Sequence, residues 1–381
     1  MQILSISEIK IVENEMRIFK YIFSVLSLFL CFSCQVSTKA LFDGRGGRSA
    51  YNISIQNTNS QEMLLNLVRL RYFDLPLFLE VGNITTQYTY RSKADTILPI
   101  PGFNNTNPGS LGGEVSWQNQ PTIQYTPLEG QAFATQLMQP IDLSTIQQII
   151  YAGWDIDRVF KLTIERVNQF ANSPAGSLPA PIFSMKYKPF YEVTALLRRL
   201  QEKGVLEVGL NVYEHDDANN KKEYLQLVFP TSEPESQKIA SLFENVIKID
   251  DRYVLNLLFG YNLEGKIGIM PRSLLSCLYY LSQGVRVPKS DIINHIVEEP
   301  QLKNGEREEF LQALSALMKI KSSFSKPKLA FVAIEYRNRW FYIDDCDLNS
   351  KRSFLLLQQL YNLQAREQKQ APPLLTLPIG G

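Results

Sequence analysis

The apolar positions of this chain recur at two periods, and the places where the period changes mark its elements. Over 60–74, Leu64, Leu67, Val68 and Tyr72 return every three or four residues, which predicts a helix with one buried face. Ser60 reads as its N-cap, Glu62 falls in the first turn, and Pro76 stops it. Residues 77–91 and 114–126 are rich in aromatic and β-branched side chains and read as two long strands. Between them Pro99, Gly102, Asn104, Pro108 and Gly112 supply turn chemistry. Three helices follow: 129–138, then 143–152, then one capped by Asp155. The second opens with a capping box of Ser144 and Gln147 and ends near Gly153. The third carries a stripe of Ile156, Val159, Phe160, Thr163, Ile164 and Val167.

Residues 173–189 hold most of the proline of the middle of the chain and read as an extended connector between two domains, 59–172 and 190–381, or equally as a surface loop within one body. Beyond it a helix over 190–203 turns Phe190, Val193, Leu196, Leu197 and Leu200 inward. Leu206, Val208, Leu210 and Val212 then alternate with polar residues, the period of a half-buried strand, and 223–229 returns as the second arm of a hairpin. A helix over 234–248 with Ser232 and Glu235 at capping-box spacing, strands over 253–259 and 266–270, a helix 272–283 closed by Gly284 and a helix 305–316 come next. Residues 318–323 suggest a short strand. A hairpin of 330–336 and 339–344 turns through Arg337 and Asn338, and a helix over 349–366 closes the series. Hairpins mixed with single helices imply an α+β fold with helices packed on one face of antiparallel sheet. The N-terminal part is helix-rich with one long hairpin.

The first 33 residues stand outside this pattern. An apolar run over 21–33 follows Arg17 and Lys20, and Ser33 precedes Cys34. The run is shorter than the roughly 20 residues that cross a bilayer as a helix, and its layout is that of a secretory signal. Glu8, Glu13 and Glu15 do not suit the start of such a signal, so translation is expected to begin at Met16. A signal that ends directly before a cysteine looks like a bacterial lipoprotein signal, with Cys34 the acylated residue; plain secretion is the alternative. Residues 34–58, with Gly44, Gly46 and Gly47, read as a tether.

Composition narrows the classes. Hydrophobic residues at 45% allow a substantial core, and 39 basic against 38 acidic residues give no general attraction for nucleic acid. Past Cys34 only Cys277 and Cys346 remain, which allows at most one intramolecular disulfide between them and rules out a disulfide scaffold. With two histidines, neither near another ligand, and no phosphate-binding or hydrolase motif, the sequence calls for no cofactor and no metal.

Three polar features carry candidate chemistry. Arg69 and Arg71 lie on different sides of the first helix, and Arg71 falls on the apolar stripe, where it needs a carboxylate such as Asp74 or backbone carbonyls. In the polar cluster of Asp344, Asp345 and Asp347, the spacing of Asp345, Asp347 and Asn349 imitates the opening of a calcium loop, but Ser350 and Leu356 stand where that loop needs Gly and Glu. The cluster is better read as capping the last helix. Trp117, Tyr125, Tyr88, Tyr90, Trp340, Phe341 and Tyr342 are core aromatics unless they form an exposed patch, which would mark a protein or glycan contact.

The runs 64–72 (LLNLVRLRY), 125–130 (YTPLEG) and 340–345 (WFYIDD), the last leading into Ser350, Lys351 and Arg352, resemble a family of Gram-negative envelope lipoproteins with no known activity. The resemblance implies an outer membrane lipoprotein facing the periplasm or the surface, and it assigns no catalytic residue. The expected function is a lipid-anchored binding or scaffold module for another envelope protein. The alternatives are a hydrolase using Asp344 or Asp345 as acid or base, and a subunit of a secretion or transport machine.

Overall fold

The computed structural model describes residue 20 and residues 48–95, 112–172, 188–214, 221–260, 266–298 and 306–365. The expectations for the signal region, Cys34, the long loop after the first strand, most of the Pro-rich segment and His215 therefore lie outside the described residues. So do the side chains of Trp117, Tyr88 and Tyr90. The chain divides into two units: Met1–Asn59 with Thr86–Pro121, and Ser60–Thr85 with Thr122–Gly381.

The fold is α+β. Helix α1 runs Arg48–Arg71, so residues 48–58, expected in the tether, are helical, and Ser60 and Glu62 lie within the helix rather than at its start. The helix continues upstream because residues 48–59 contain no proline or glycine to interrupt it. Within the larger unit its predicted face is right: Leu64, Leu67, Val68 and Tyr72 are buried. Glu62 instead accepts from the amide of Leu79. Strands β1 (Phe78–Asp95) and β2 (Gly112–Leu128) form a two-stranded sheet.

Helices α2 (Gln131–Met138), α3 (Leu143–Tyr151) and α4 (Ile156–Thr163) follow. The N-cap of α3 is Asp142, which leaves Ser144 inside the first turn. The continuous stripe predicted from Ile156 to Val167 is all buried, yet it belongs to two elements, because α4 ends at Thr163 and β3 (Ile164–Val167) begins there. A strand of four residues with both ends buried satisfies a helical stripe equally well, so periodicity alone does not separate them.

The main sheet has seven strands in the order β4-β3-β9-β8-β6-β5, with β7 also paired to β8. Its strands are β3, β4 (Phe170–Ala171), β5 (Glu207–Glu214), β6 (Lys221–Pro230), β7 (Ile247–Ile249), β8 (Arg252–Phe259) and β9 (Ile267–Pro271). Because β3 pairs with β9, with Val167 opposite Ile269, residues before and after the Pro-rich segment share one sheet. The expected boundary between domains 59–172 and 190–381 is thus a connection within a single unit. The pairs are antiparallel except β8 with β9, which run parallel.

Helix α5 (Lys188–Glu202) buries the predicted face of Phe190, Val193, Leu196, Leu197 and Leu200. Leu227, Leu255 and Leu257 of the sheet meet Phe160 of α4 and Phe190 and Leu197 of α5 around one small apolar void. Helix α6 is shorter than expected, Pro234–Leu242 with Glu233 as N-cap, and β7 begins only at Ile247 after a turn. Helices α7 (Leu274–Ser282), α8 (Lys289–Ile293) and α9 (Glu306–Leu317) follow.

A second sheet of three strands has the order β10-β12-β11, from Lys321–Ser323, Arg339–Asp344 and Ala330–Tyr336. Arg337 and Asn338 both take positive φ, 49° and 59°, as a two-residue hairpin turn requires. The inner face, Val332, Ile334, Phe341 and Ile343, is buried in the same core as Phe354, Leu357 and Leu360 of the last helix α10 (Leu348–Ala365).

Candidate functional site

Strand alternation decides which residues of the small sheet reach solvent. With Phe341 and Ile343 inward, Trp340, Tyr342 and Asp344 of β12 point outward. Register places Glu335 and Ser323 on either side of Trp340, and Ala333 and Lys321 on either side of Tyr342. The loop between β10 and β11 adds Phe324, 81% exposed, and Leu329, 71% exposed.

Cations lie over these rings. The Arg339 guanidinium is 3.3 Å from the Phe324 ring centre, Lys326 Nζ is 5.2 Å from that of Trp340, and Lys351 Nζ is 5.0 Å from that of Phe331. Such pairs hold large side chains in place at a surface with little further loss of entropy on binding. Residues 319–352 contain eight basic and four acidic side chains, a local excess of four, whereas the whole chain has an excess of one. The outer face of this sheet thus carries Trp340 under Lys326 beside Tyr342 and Lys321, while Arg339 is on the side of Phe341 and Phe331 packs against Phe354 of the last helix.

Around it the predicted polar residues have structural partners. Asp347 caps α10, accepting from the Ser350 amide at 3.2 Å and from Ser350 Oγ at 2.7 Å. Asp344 accepts from Lys321 Nζ at 2.8 Å and from the Cys346 amide at 3.0 Å, and these bonds hold its carboxyl below the usual range. Asp345 pairs with Lys351 at 2.7 Å. A general acid needs a raised carboxyl in a cleft, and Asp344 is shifted the other way. Among the described residues no group of three or more His, Cys, Asp or Glu side chains could hold a metal ion.

Arg71 is buried, as its place on the stripe requires, and Nη1 donates to the Glu298 carbonyl at 2.8 Å. Asp74, expected beside Arg71, instead accepts from Tyr336 Oη and lies 3.5 Å from Arg337 Nη2 at the hairpin turn. Arg337 stacks over Tyr72 and Tyr336. Tyr72 donates to Asp291 at 2.6 Å, and burial, with that bond and charge, pushes its phenol well above the ordinary range. The end of α1 is therefore fastened to the β11–β12 turn. Arg69 lies 3.4 Å from Asn66 Oδ1 and beside Glu62. The bridge that Cys277 and Cys346 would allow is absent: Cys277 is a buried core residue, Cys346 is exposed, and both are free thiols.

Sequence reasoning missed Lys321 and Lys326 as members of one surface with Trp340 and Tyr342. Their charges are interleaved with apolar residues, so no like-charged run exists, and only the pairing of β10 with β12 gathers them. It also missed two buried arginines. Arg158 donates to Ser353 Oγ at 2.6 Å and to the Asn349 carbonyl at 3.1 Å, joining α4 to α10. Arg272, 1% exposed, donates to the carbonyls of Lys161 and Leu162, both at 3.1 Å, and lies 4.1 Å from the Tyr280 ring centre.

No described helix is long and apolar enough to cross a membrane. No protein-family model, curated protein or solved structure matches the chain.

Proposed function

We propose that this chain is a lipid-anchored binding module of the cell envelope, held at the outer membrane through Cys34 and docking another envelope protein on the outer face of the β10–β12–β11 sheet. The observation that carries the docking surface is the half-buried Trp340 ring held under Lys326 on that face, with Tyr342 and Lys321 beside it. Aromatic and arginine side chains are the residues that dominate protein interfaces, and the basic excess selects a partner with acidic side chains around an apolar centre. The anchor rests on the signal-like run before Cys34 and on the resemblance to envelope lipoproteins.

Two measurements test the two halves. Labelled fatty acid should enter the wild-type protein and not the Cys34→Ser variant, which should leave the membrane fraction; equal labelling overturns the anchor. A photo-crosslinker at position 335, opposite Trp340 on that face, should give a discrete adduct in intact cells. That adduct should fall at least about tenfold with Trp340→Ala, the scale of an interface hot spot, while thermal unfolding is unchanged. An adduct insensitive to Trp340→Ala, or none, overturns the docking surface.

A further inference from the structure

Strand β5 ends the seven-stranded sheet, and among the described residues nothing pairs with its outer edge. Natural edges are usually blunted by proline, lysine or a bulge. Here the strand is Glu-Val-Gly-Leu-Asn-Val-Tyr-Glu, with neither residue, and its pairing to β6 runs without a shift from Glu207 to Glu214.

The direction of its free groups follows from one bond. Tyr151 Oη, at the end of α3, donates to the Val208 carbonyl from outside the sheet. In an antiparallel pair the amide and carbonyl of one residue point the same way and alternate along the strand. Val208, Leu210 and Val212 therefore direct their main-chain groups away from β6. Beside them lies an open cleft of about 480 Å³ lined by Ile150, Tyr151, Gln201, Val208, Gly209 and Gln226. Residues from both faces of the sheet line it, which places it at the edge.

We infer that this edge pairs with the same edge of a second copy of the chain, antiparallel and two-fold symmetric about Leu210. In antiparallel pairing, outward-directed residues must face each other, so the residue numbers opposite one another sum to an even value. Centred on Leu210, the register sets Leu210 against Leu210 and Val208 against Val212 on one face. Gly209 meets Asn211 on the other. Apolar groups meet apolar groups, and no like charges are opposed. The run Val-Gly-Leu-Asn-Val is symmetric in kind about its centre, which an isologous contact requires and a contact with an unrelated strand does not. Val212, 53% exposed, gains cover. About six main-chain hydrogen bonds form across the axis. Tyr151, 67% exposed, releases the Val208 carbonyl as the second strand arrives.

The contact is tested by an engineered disulfide and by mass. A residue on the axis meets its copy at a Cα separation of about 5.5 Å, within disulfide reach. In a Cys34→Ser, Cys346→Ser background, Leu210→Cys should form a covalent dimer under mild oxidant, while Asn211→Cys, opposite Gly209, should not. By sedimentation, the unmodified chain should be dimeric. Val212→Pro, which removes an outward amide, should raise the dissociation constant at least about tenfold, and Tyr151→Phe should lower it. A chain monomeric at about 100 μM, equal crosslinking from 210 and 211, or a dimer indifferent to Val212→Pro while the fold is retained would each overturn the inference.

Discussion

At the residue scale, burial sets reactivity and charge. Burial pushes the Cys277 thiol up to about 12, so almost no thiolate exists at neutral pH, whereas Cys346 is exposed. Of these two, only Cys346 should react with a maleimide in the native protein, and both should react in denaturant. Mass spectrometry of the labelled peptides checks this. Asp157 answers to the same balance: burial raises its carboxyl, but Lys161 at 2.9 Å and Arg198 at 3.3 Å more than offset that and hold it below 3.8. A depressed folded value stabilises the fold above the unfolded value, and that stability is lost as pH falls through the folded one. Asp157→Asn should therefore cost about 1 kcal/mol at pH 7, and the gap to wild type should close as pH falls through the depressed folded value. Denaturant titrations across that range measure it.

At the element scale, Gly284 shows how a residue type legible in the sequence can serve an unexpected end. Glycine after a helix suggests positive φ, and Gly153 has it, at 94°. Gly284 does not need it. A Cβ there would lie 2.7 Å from the Met318 carbonyl oxygen, because the chain past α7 runs against the segment after α9, with Ile320 donating to the Gly284 carbonyl at 3.1 Å. Gly284→Ala should destabilise by about 1–3 kcal/mol through overpacking of backbone against backbone, a loss that equilibrium unfolding would show. At α10 one of the carboxylates read as a cap, Asp347, is the one that caps it, accepting from Ser350. Asp347→Ala should cost about 1 kcal/mol in the same measurement, with the fold unchanged by circular dichroism.

At the scale of the whole molecule, the seven-stranded sheet binds early to late chain: β3 depends on β9, about a hundred residues away, and α4 is held to α10 by Arg158. A fragment of residues 60–172 should show no cooperative thermal transition, since its helices and β3 lose the surfaces they cover; a sharp transition near that of the whole chain would contradict this. The sequence by itself determined what local periodicity and turn chemistry control: the existence and type of most elements, the buried faces of α1 and α5, the Arg337–Asn338 turn and the cap of α10. It also determined that Arg71 is buried. What only the tertiary structure decided is which elements meet. Whether β8 and β9 run parallel, whether a Pro-rich stretch divides domains, that Asp74 serves Tyr336 rather than Arg71, and that interleaved cations gather over aromatic rings all depend on pairings between distant segments. Strand alternation reads alike for many such pairings, and only burial of the complete core selects one.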